Sequence, residues 1–282
     1  MNAQRESAWL WKPRLPGLEL FEAQLFSHRF SKHFHETYTI GFNEQGQGTS
    51  FCQGEHQGLY PGRFNLINPG EVHTGEALCQ DSGWSFRNIY IDVATVQHIM
   101  EQCEWPNALP YFKSVSAVDA SLQTKFYRLF KVLVNDGAGA MSVLAQQSLL
   151  LDVLSHLFGR YGEASIPLRS PGAESQAVTT VRQYLEIHYG DRITLNELAT
   201  LVNLNPHYLI RCFRQQVGCP PHQYQQQWQL LKAKQALQTN QRIAEIATDH
   251  GFYDQSHLTR VFKRTFGVTP GHYQKVNSVQ YC

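Results

Sequence analysis

This chain of 282 residues has no run of about 18 apolar residues, so no membrane-crossing helix is expected. Its opening, "MNAQRESAWLWKPRLPG", contains no apolar h-region, so an export signal is not expected and a cytoplasmic location is. No pair among the six cysteines (Cys52, Cys79, Cys103, Cys212, Cys219, Cys282) is spaced C-x-x-C. That argues against a zinc ribbon or a disulfide framework and for reduced thiols. The G-x-S-x-G, P-loop and G-x-G-x-x-G patterns are all missing. "GFNEQGQG" is glycine-rich, but it sits between strand-like segments with no helix after it, so it is a poor phosphate cradle. No catalytic residue stands out, and neither an enzyme nor a resident cofactor is expected. Net charge is almost nil, at +1.

That small total conceals an asymmetry. Up to Gly172 there are 13 Lys+Arg against 16 Asp+Glu, a net of −3; from Ala173 onward there are 11 against 7, a net of +4. The second part is also rich in Gln, as in "HQYQQQWQLLKAKQALQTNQ". The balance hints at a polyanionic partner for the second part without constituting a basic tail.

The texture of the chain changes along its length. Up to about Ile91, short apolar segments ("TYTIGF", "GTSFCQ", "HQGLY", "RFNLIN", "WSFRNIYI") recur between Gly-rich turn signals such as "YPGR" and "NPGE". Short strands at close, even spacing predict an antiparallel sandwich or small barrel. After Asp92 the period becomes helical. Leu122, Phe126, Leu129, Phe130 and Leu133 share one stripe, and Val143, Leu144, Leu150, Leu151, Leu154, Leu157 and Phe158 form a broader one. "NDGAGA" between them suits an antiparallel hairpin. The broad stripe either packs on the β domain or, through the helices of 121–160, makes a homodimer. "GEASIPLRSPGAES" reads as a linker. The expected organisation is residues 1–162 as a β domain with a helical hairpin, 163–175 as linker and 176–276 as an all-α domain.

The helical part repeats itself. "ELATLVNLNPHYLIRCFRQQVG" (Glu197 to Gly218) resembles "EIATDHGFYDQSHLTRVFKRTFG" (Glu245 to Gly267). With one extra residue in the second turn, Leu209, Arg211, Phe213, Arg214 and Gly218 match Leu258, Arg260, Phe262, Lys263 and Gly267. Thr194 and Glu197 form a capping box, Asn205 and Asp254 are N-caps, and Gly218, Gly251 and Gly267 suit left-handed C-caps. Each unit is a short helix, a tight turn and a second helix, with the small residues Ala199 and Ala247 permitting close crossing. This is the pattern of helix-turn-helix, whose second helix enters the major groove. Pro221 opens an intervening helix of about 18 residues, spanning ~27 Å at 1.5 Å per residue. Adjacent major-groove segments on one face of B-DNA recur at about 34 Å, so the spacer suits two reading heads.

"GFYDQSHLTRVFKRTFGVTPGHYQK" resembles the signature of the AraC/XylS transcription regulators, and "LNELATLVNLNPHYLIRCFRQQVGCPPHQY" resembles the first half of that family's DNA-binding domain. The resemblance covers roughly Ala177 to Lys275. It implies two helix-turn-helix units joined by a long helix, with base-facing positions at His207, Ile210 and Arg211 in one and Gln255, Ser256, His257 and Arg260 in the other. Arg211 and Arg260 can fork onto guanine, and Gln255 can pair with adenine; Ile210 is limited to a thymine methyl. Arg214, Lys263 and Arg264 lie further along and suit phosphates. The chain departs from the family at Gln229, where an arginine is usual.

In the β domain, "KHFHETYTIGF" carries His33 and His35, and "NLINPGEVHTG" ends at His73. Their spacing resembles a cupin barrel, in particular the amino-terminal sensor domain of AraC-type regulators. The fold class this implies is two-domain α+β, with a cupin-like antiparallel β-barrel and hairpin followed by the all-α domain. Three readings of the histidines stay open. They form an effector pocket with Tyr38, Trp84, Arg87 and Tyr90; they hold a divalent metal as three imidazoles; or they are barrel-mouth residues. Metal cupins carry a Glu where this chain has Thr39, and no metal is expected. The function expected is a DNA-binding transcription regulator governed by a small-molecule effector, with promoter DNA and RNA polymerase as partners. Alternatives are a cupin-type metal enzyme and an effector-free regulator controlled by a protein partner.

Overall fold

A computed structural model describes residues 6–102, 109–135, 143–164, 173–239 and 241–278. The chain forms two compact units, one of Met1–Arg29 with His35–Ile166 and one of Phe30–Phe34 with Pro167–Cys282.

The first unit is built on two sheets. One has six strands in the order β1 (Ser7–Trp11), β2 (Leu18–Leu25), β9 (Trp84–Asp92), β4 (Thr37–Gly46), β7 (Phe64–Ile67) and β11 (Ser116–Ala117). In the other, a four-stranded sheet, β8 (His73–Ala77), β5 (Gly48–Cys52) and β6 (Glu55–Leu59) lie in that order; its remaining strand, β3 (Arg29–His33), falls almost wholly among the residues of the second unit. All five segments expected as strands are strands. β1, β2, β3, β8 and β11 are additional. "LELFEAQL" in β2 is composed of good helix formers, and pairing with β1 on one side and β9 on the other overrides that preference. Among the other elements of this unit are α1 (Val93–Gln102), β10 (Pro110–Phe112), α2 (Ala120–Val134), α3 (Val143–Tyr161) and β12 (Gly162–Ala164). β10 and β12 pair antiparallel, so the expected linker begins as a strand.

Strand alternation gives the six-stranded sheet two different faces. Leu18, Leu20, Tyr38, Ile40, Phe42, Phe64, Leu66, Ile89 and Ile91 join one buried cluster with residues of α2 and α3. The expected α2 stripe of Leu122, Phe126, Leu129, Phe130 and Leu133 is buried there in full. On α3, Leu150, Leu154, Leu157 and Phe158 are buried, whereas Leu151 is 36% exposed and off the stripe. The side chains of Val143 and Leu144 lie outside the described residues, as does the turn over 136–142. Asp119 fastens the two helices. Its Oδ1 accepts the Leu122 N–H at 2.9 Å as an N-cap, and its Oδ2 meets His156 Nε2 at 2.8 Å and the Tyr161 hydroxyl at 3.0 Å. Burial alone would raise its pKa; these hydrogen bonds prevail and hold the carboxyl at about 2.

The opposite face of the sheet carries Thr39, Asn43, Trp84, Phe86, Asn88 and Tyr90, in phase by cross-strand pairing. It looks toward the four-stranded sheet. A Cβ added at Gly48 in β5 would lie 2.7 Å from the Trp84 ring, which is why glycine occupies that position.

The second unit contains α4 (Ala173–Ile187), α5 (Leu195–Leu201), α6 (Pro206–Val217), α7 (Pro221–Ala236), α8 (Ile243–Asp249), α9 (Gln255–Phe266) and α10 (Pro270–Ser278). The Thr194–Glu197 capping box is present, and Asp254 Oδ1 caps α9 through the His257 N–H at 2.6 Å. Gly218, Gly251 and Gly267 have φ of 84°, 80° and 77°, which a side chain would strain. The repeat is visible in the packing. Ala199, Leu209 and Phe213 are buried in one copy, and Ala247, Leu258 and Phe262 in the other. α7 has 16 residues and so spans ~24 Å, slightly less than expected.

Candidate functional site

Two regions gather the predicted residues. In the second unit, α6 and α9 each bury one stripe and present the other. Gln255, Ser256, Arg260, Lys263 and Arg264 are exposed on α9, as are Arg211 and Arg214 on α6. Ile210 is half-buried, and the side chain of His207 lies outside the described residues. The Arg211 guanidinium lies 5.0 Å from the centroid of the Tyr208 ring, a cation–π contact that holds it against its own helix. His257 differs from its expected role. Its Nδ1 faces the Tyr253 N–H at 3.3 Å, and its ring is edge-on to Phe252 at 5.5 Å. The imidazole is therefore turned back onto the turn before α9, because the N-cap geometry brings it within reach of that backbone. Tyr253, which the repeat did not single out, is 89% exposed beside the start of α9.

Gln229, the departure from the family pattern, is a strut. Its Nε2 donates to Tyr189 O at 3.1 Å, and Gln225 Nε2 donates to Asp191 O at 2.8 Å, joining α7 to the chain just after α4. An amide replaces a guanidinium there and keeps a backbone contact.

The seven residues expected to share an effector pocket are divided: His33 belongs to the second unit and the other six to the first. Trp84 and Tyr90 face the four-stranded sheet, with the His35 ring 4.9 Å from Tyr90 and 5.2 Å from His73. Tyr38 and Arg87 are on the other face. The Tyr38 hydroxyl donates to Pro110 O at 2.8 Å, and its ring packs on Phe112 and Phe158, so it is a core residue. Arg87 is an odd number of residues from both Trp84 and Tyr90, and strand alternation turns it away from them. It forms 2.8 Å ion pairs with Glu22 and Glu44. The expectation of a single pocket containing Arg87 as its anion-binding cation is corrected accordingly.

The face that Trp84 and Tyr90 do share carries polar groups that sequence reading missed. Asn88 Nδ2 donates to the Tyr90 hydroxyl at 3.0 Å, and Trp84 Nε1 donates to Asn43 Oδ1 at 2.9 Å. Thr39 Oγ1 is buried with no hydrogen-bond partner among the described residues. Burial raises the Tyr90 phenol pKa and lowers that of the His73 imidazole, so both are neutral near pH 7. His33 and His73 each place Nδ1 against a backbone carbonyl, Ser31 O at 2.6 Å and Glu71 O at 2.9 Å. That fixes the orientation of both rings.

Residues 15–154 match the model of the AraC-like ligand binding domain, and residues 198–276 match a helix-turn-helix domain. The HTH-type transcriptional regulator YbfI of Bacillus subtilis is 30% identical over 241 residues, covering 86% of both chains. The arabinose operon regulatory protein of Escherichia coli is 28% identical over 252 residues, 86% of this chain and 83% of its own. Among solved structures, unsaturated fatty acid bound ToxT from Vibrio cholerae shares the fold with a TM-score of 0.56 at 13% identity, covering 98% of both chains. Among the described residues no helix is long and apolar enough to cross a membrane.

Proposed function

Because this chain belongs to the AraC family of DNA-binding transcription regulators, we propose that α6 and α9 enter successive major-groove segments on one face of promoter DNA, and that a small neutral effector between the two β-sheets sets the strength of that binding. The observation that carries the DNA reading is the duplicated helix pair with like residues exposed in both copies. Arg211 and Arg260 are the base-reading pair, with Gln255 and Ser256 beside Arg260. Arg214, Lys263 and Arg264 neutralise phosphates. Promoter DNA and RNA polymerase are the partners in this reading, a second copy pairs through α2 and α3, and the protein acts in the cytoplasm.

The effector's chemistry is inferred from the inner face. Thr39, Asn88 and Tyr90 offer hydroxyls and an amide, and His73 is neutral. These suit a neutral hydrogen-bonding molecule such as a sugar better than the fatty acid of the ToxT structure, because Arg87 faces away. Regulation requires that the liganded and free states differ in DNA affinity. Mobility shifts on the DNA upstream of the chain's own gene test the first half. With three cations on phosphates, log K is expected to fall by about 2.7 per tenfold rise in salt. Affinity independent of salt would exclude the phosphate contacts. A thermal-shift panel of neutral sugars against organic acids tests the second half, since a ligand specific for the native state raises its apparent stability. Stabilisation by acids alone would exclude the neutral effector.

A further inference from the structure

The outer face of the six-stranded sheet holds a second candidate site, on the side of β9 opposite the effector face. Between β1, β2, β9 and α2 lies a cavity of about 420 Å³, within the range of small-molecule pockets. Its walls are aromatic. Trp9 and Trp11 alternate onto one face of β1, and Tyr127 and Phe130 come from α2. Trp11 meets Phe130 edge-on at 6.1 Å, and Trp9, at the mouth, is 47% exposed. The floor is polar. Pairing places Trp9 beside Glu22 and Glu22 beside Arg87.

Arg87 is held rigidly. Its Nε and Nη1 donate to Glu22 and Glu44 at 2.8 Å, and its guanidinium carbon lies 5.4 Å from the centroids of both Tyr127 and Phe130. The Tyr127 hydroxyl in turn donates to Glu44 at 2.7 Å. The two carboxylates offset Arg87 and Lys131, the cation at the rim, so an ion of either sign meets a like charge in the floor. A neutral ring with flat faces is favoured. Its faces stack on the indoles, and its edge meets a carboxylate acceptor in Glu22 and a guanidinium donor in Arg87, side by side. The Watson–Crick edge of guanine has the complementary order, with N–H donors next to a carbonyl acceptor. Adenine presents one N–H donor beside the acceptor N1, one donor fewer for the two oxygens of the carboxylate.

We propose that this cavity binds a guanine ring, as the nucleoside or with its phosphate directed to Lys131. The site does not depend on the effector reading of the inner face.

Calorimetric titration of the full chain with guanosine, guanosine monophosphate and adenosine tests it. Both guanine compounds are expected to bind, and adenosine about tenfold weaker, the effect of one lost hydrogen bond. Tighter binding of the monophosphate would assign the phosphate to Lys131, and equal binding would restrict the ligand to the nucleoside. Trp9→Ala, at an exposed position, is expected to weaken guanosine about tenfold, the effect of one lost base–aromatic stack. Glu22→Gln, which sets an amide N–H against the guanine N–H groups, is expected to weaken guanosine more than adenosine. Asn88→Ala, on the inner face, is expected to leave guanosine binding intact. Absence of guanosine binding, wild-type affinity in the Trp9 variant at an unchanged melting temperature, or loss of binding in the Asn88 variant alone would overturn the proposal.

Discussion

Replacing Thr39 by valine separates stability from ligand binding at the inner face. Thr39 is 2% exposed, and its hydroxyl has no partner among the described residues. It pairs across the sheet with Tyr90 and with Ile67, which sets it on the face assigned to the effector. Leaving a buried hydroxyl unsatisfied costs ~1–3 kcal/mol. Valine has nearly the same shape and a higher strand preference, so Thr39→Val is expected to stabilise the free protein by ~1–2 kcal/mol. For a unit of this size that corresponds to a rise of roughly 2–8 °C in Tm. The same change removes one hydrogen bond to the effector, which should weaken a stabilising sugar by ~0.5–1.5 kcal/mol. Differential scanning calorimetry of both proteins, with and without the sugar, reads both effects. A lower Tm for the variant would mean that the hydroxyl is satisfied in the free protein. Unchanged sugar affinity would remove Thr39 from the site.

Three further perturbations follow from the same geometry. Arg260→Ala should weaken specific DNA binding by ~1–3 kcal/mol and relax discrimination at one base pair, checked by mobility shifts over single-base variants of the site. Asp254→Ala removes the α9 cap and should cost ~1 kcal/mol of stability in the helical unit, read by urea denaturation. The Asp119 carboxyl is held at about 2, below its ordinary 3.8, so its stabilising effect is complete above roughly pH 4 and fades as pH falls toward 2. Asp119→Asn should flatten that part of the stability–pH curve, and a wild-type curve unchanged by the substitution would contradict the assignment.

The helical unit was legible in nearly all its parts. Caps, left-handed glycines and the buried Leu and Phe positions are local signals, and duplication let each copy check the other. His257 was the exception, because its orientation depends on a hydrogen bond to the backbone just before its own helix. The β domain was legible as strands but not as faces. "LELFEAQL" is a strand only because two neighbours pair with it. Arg87 was placed with Trp84 and Tyr90 by proximity in sequence, although period-two alternation already set it opposite them and set Asn88 with them. Thr39 was noticed as the place of a missing Glu, whereas its relevance is the buried hydroxyl it supplies. The outer cavity had no sequence signal, since Trp9 and Phe130 are about 120 residues apart and meet only when α2 packs on the sheet.

Hydroxyl-radical footprinting of the upstream DNA tests the central claim most directly. Two reading helices joined by a rigid α7 predict two protected segments on one face, about 10–10.5 base pairs apart centre to centre. Arg211→Ala should fade one segment and Arg260→Ala the other. A single protected block, or loss of the same segment in both variants, would contradict the account.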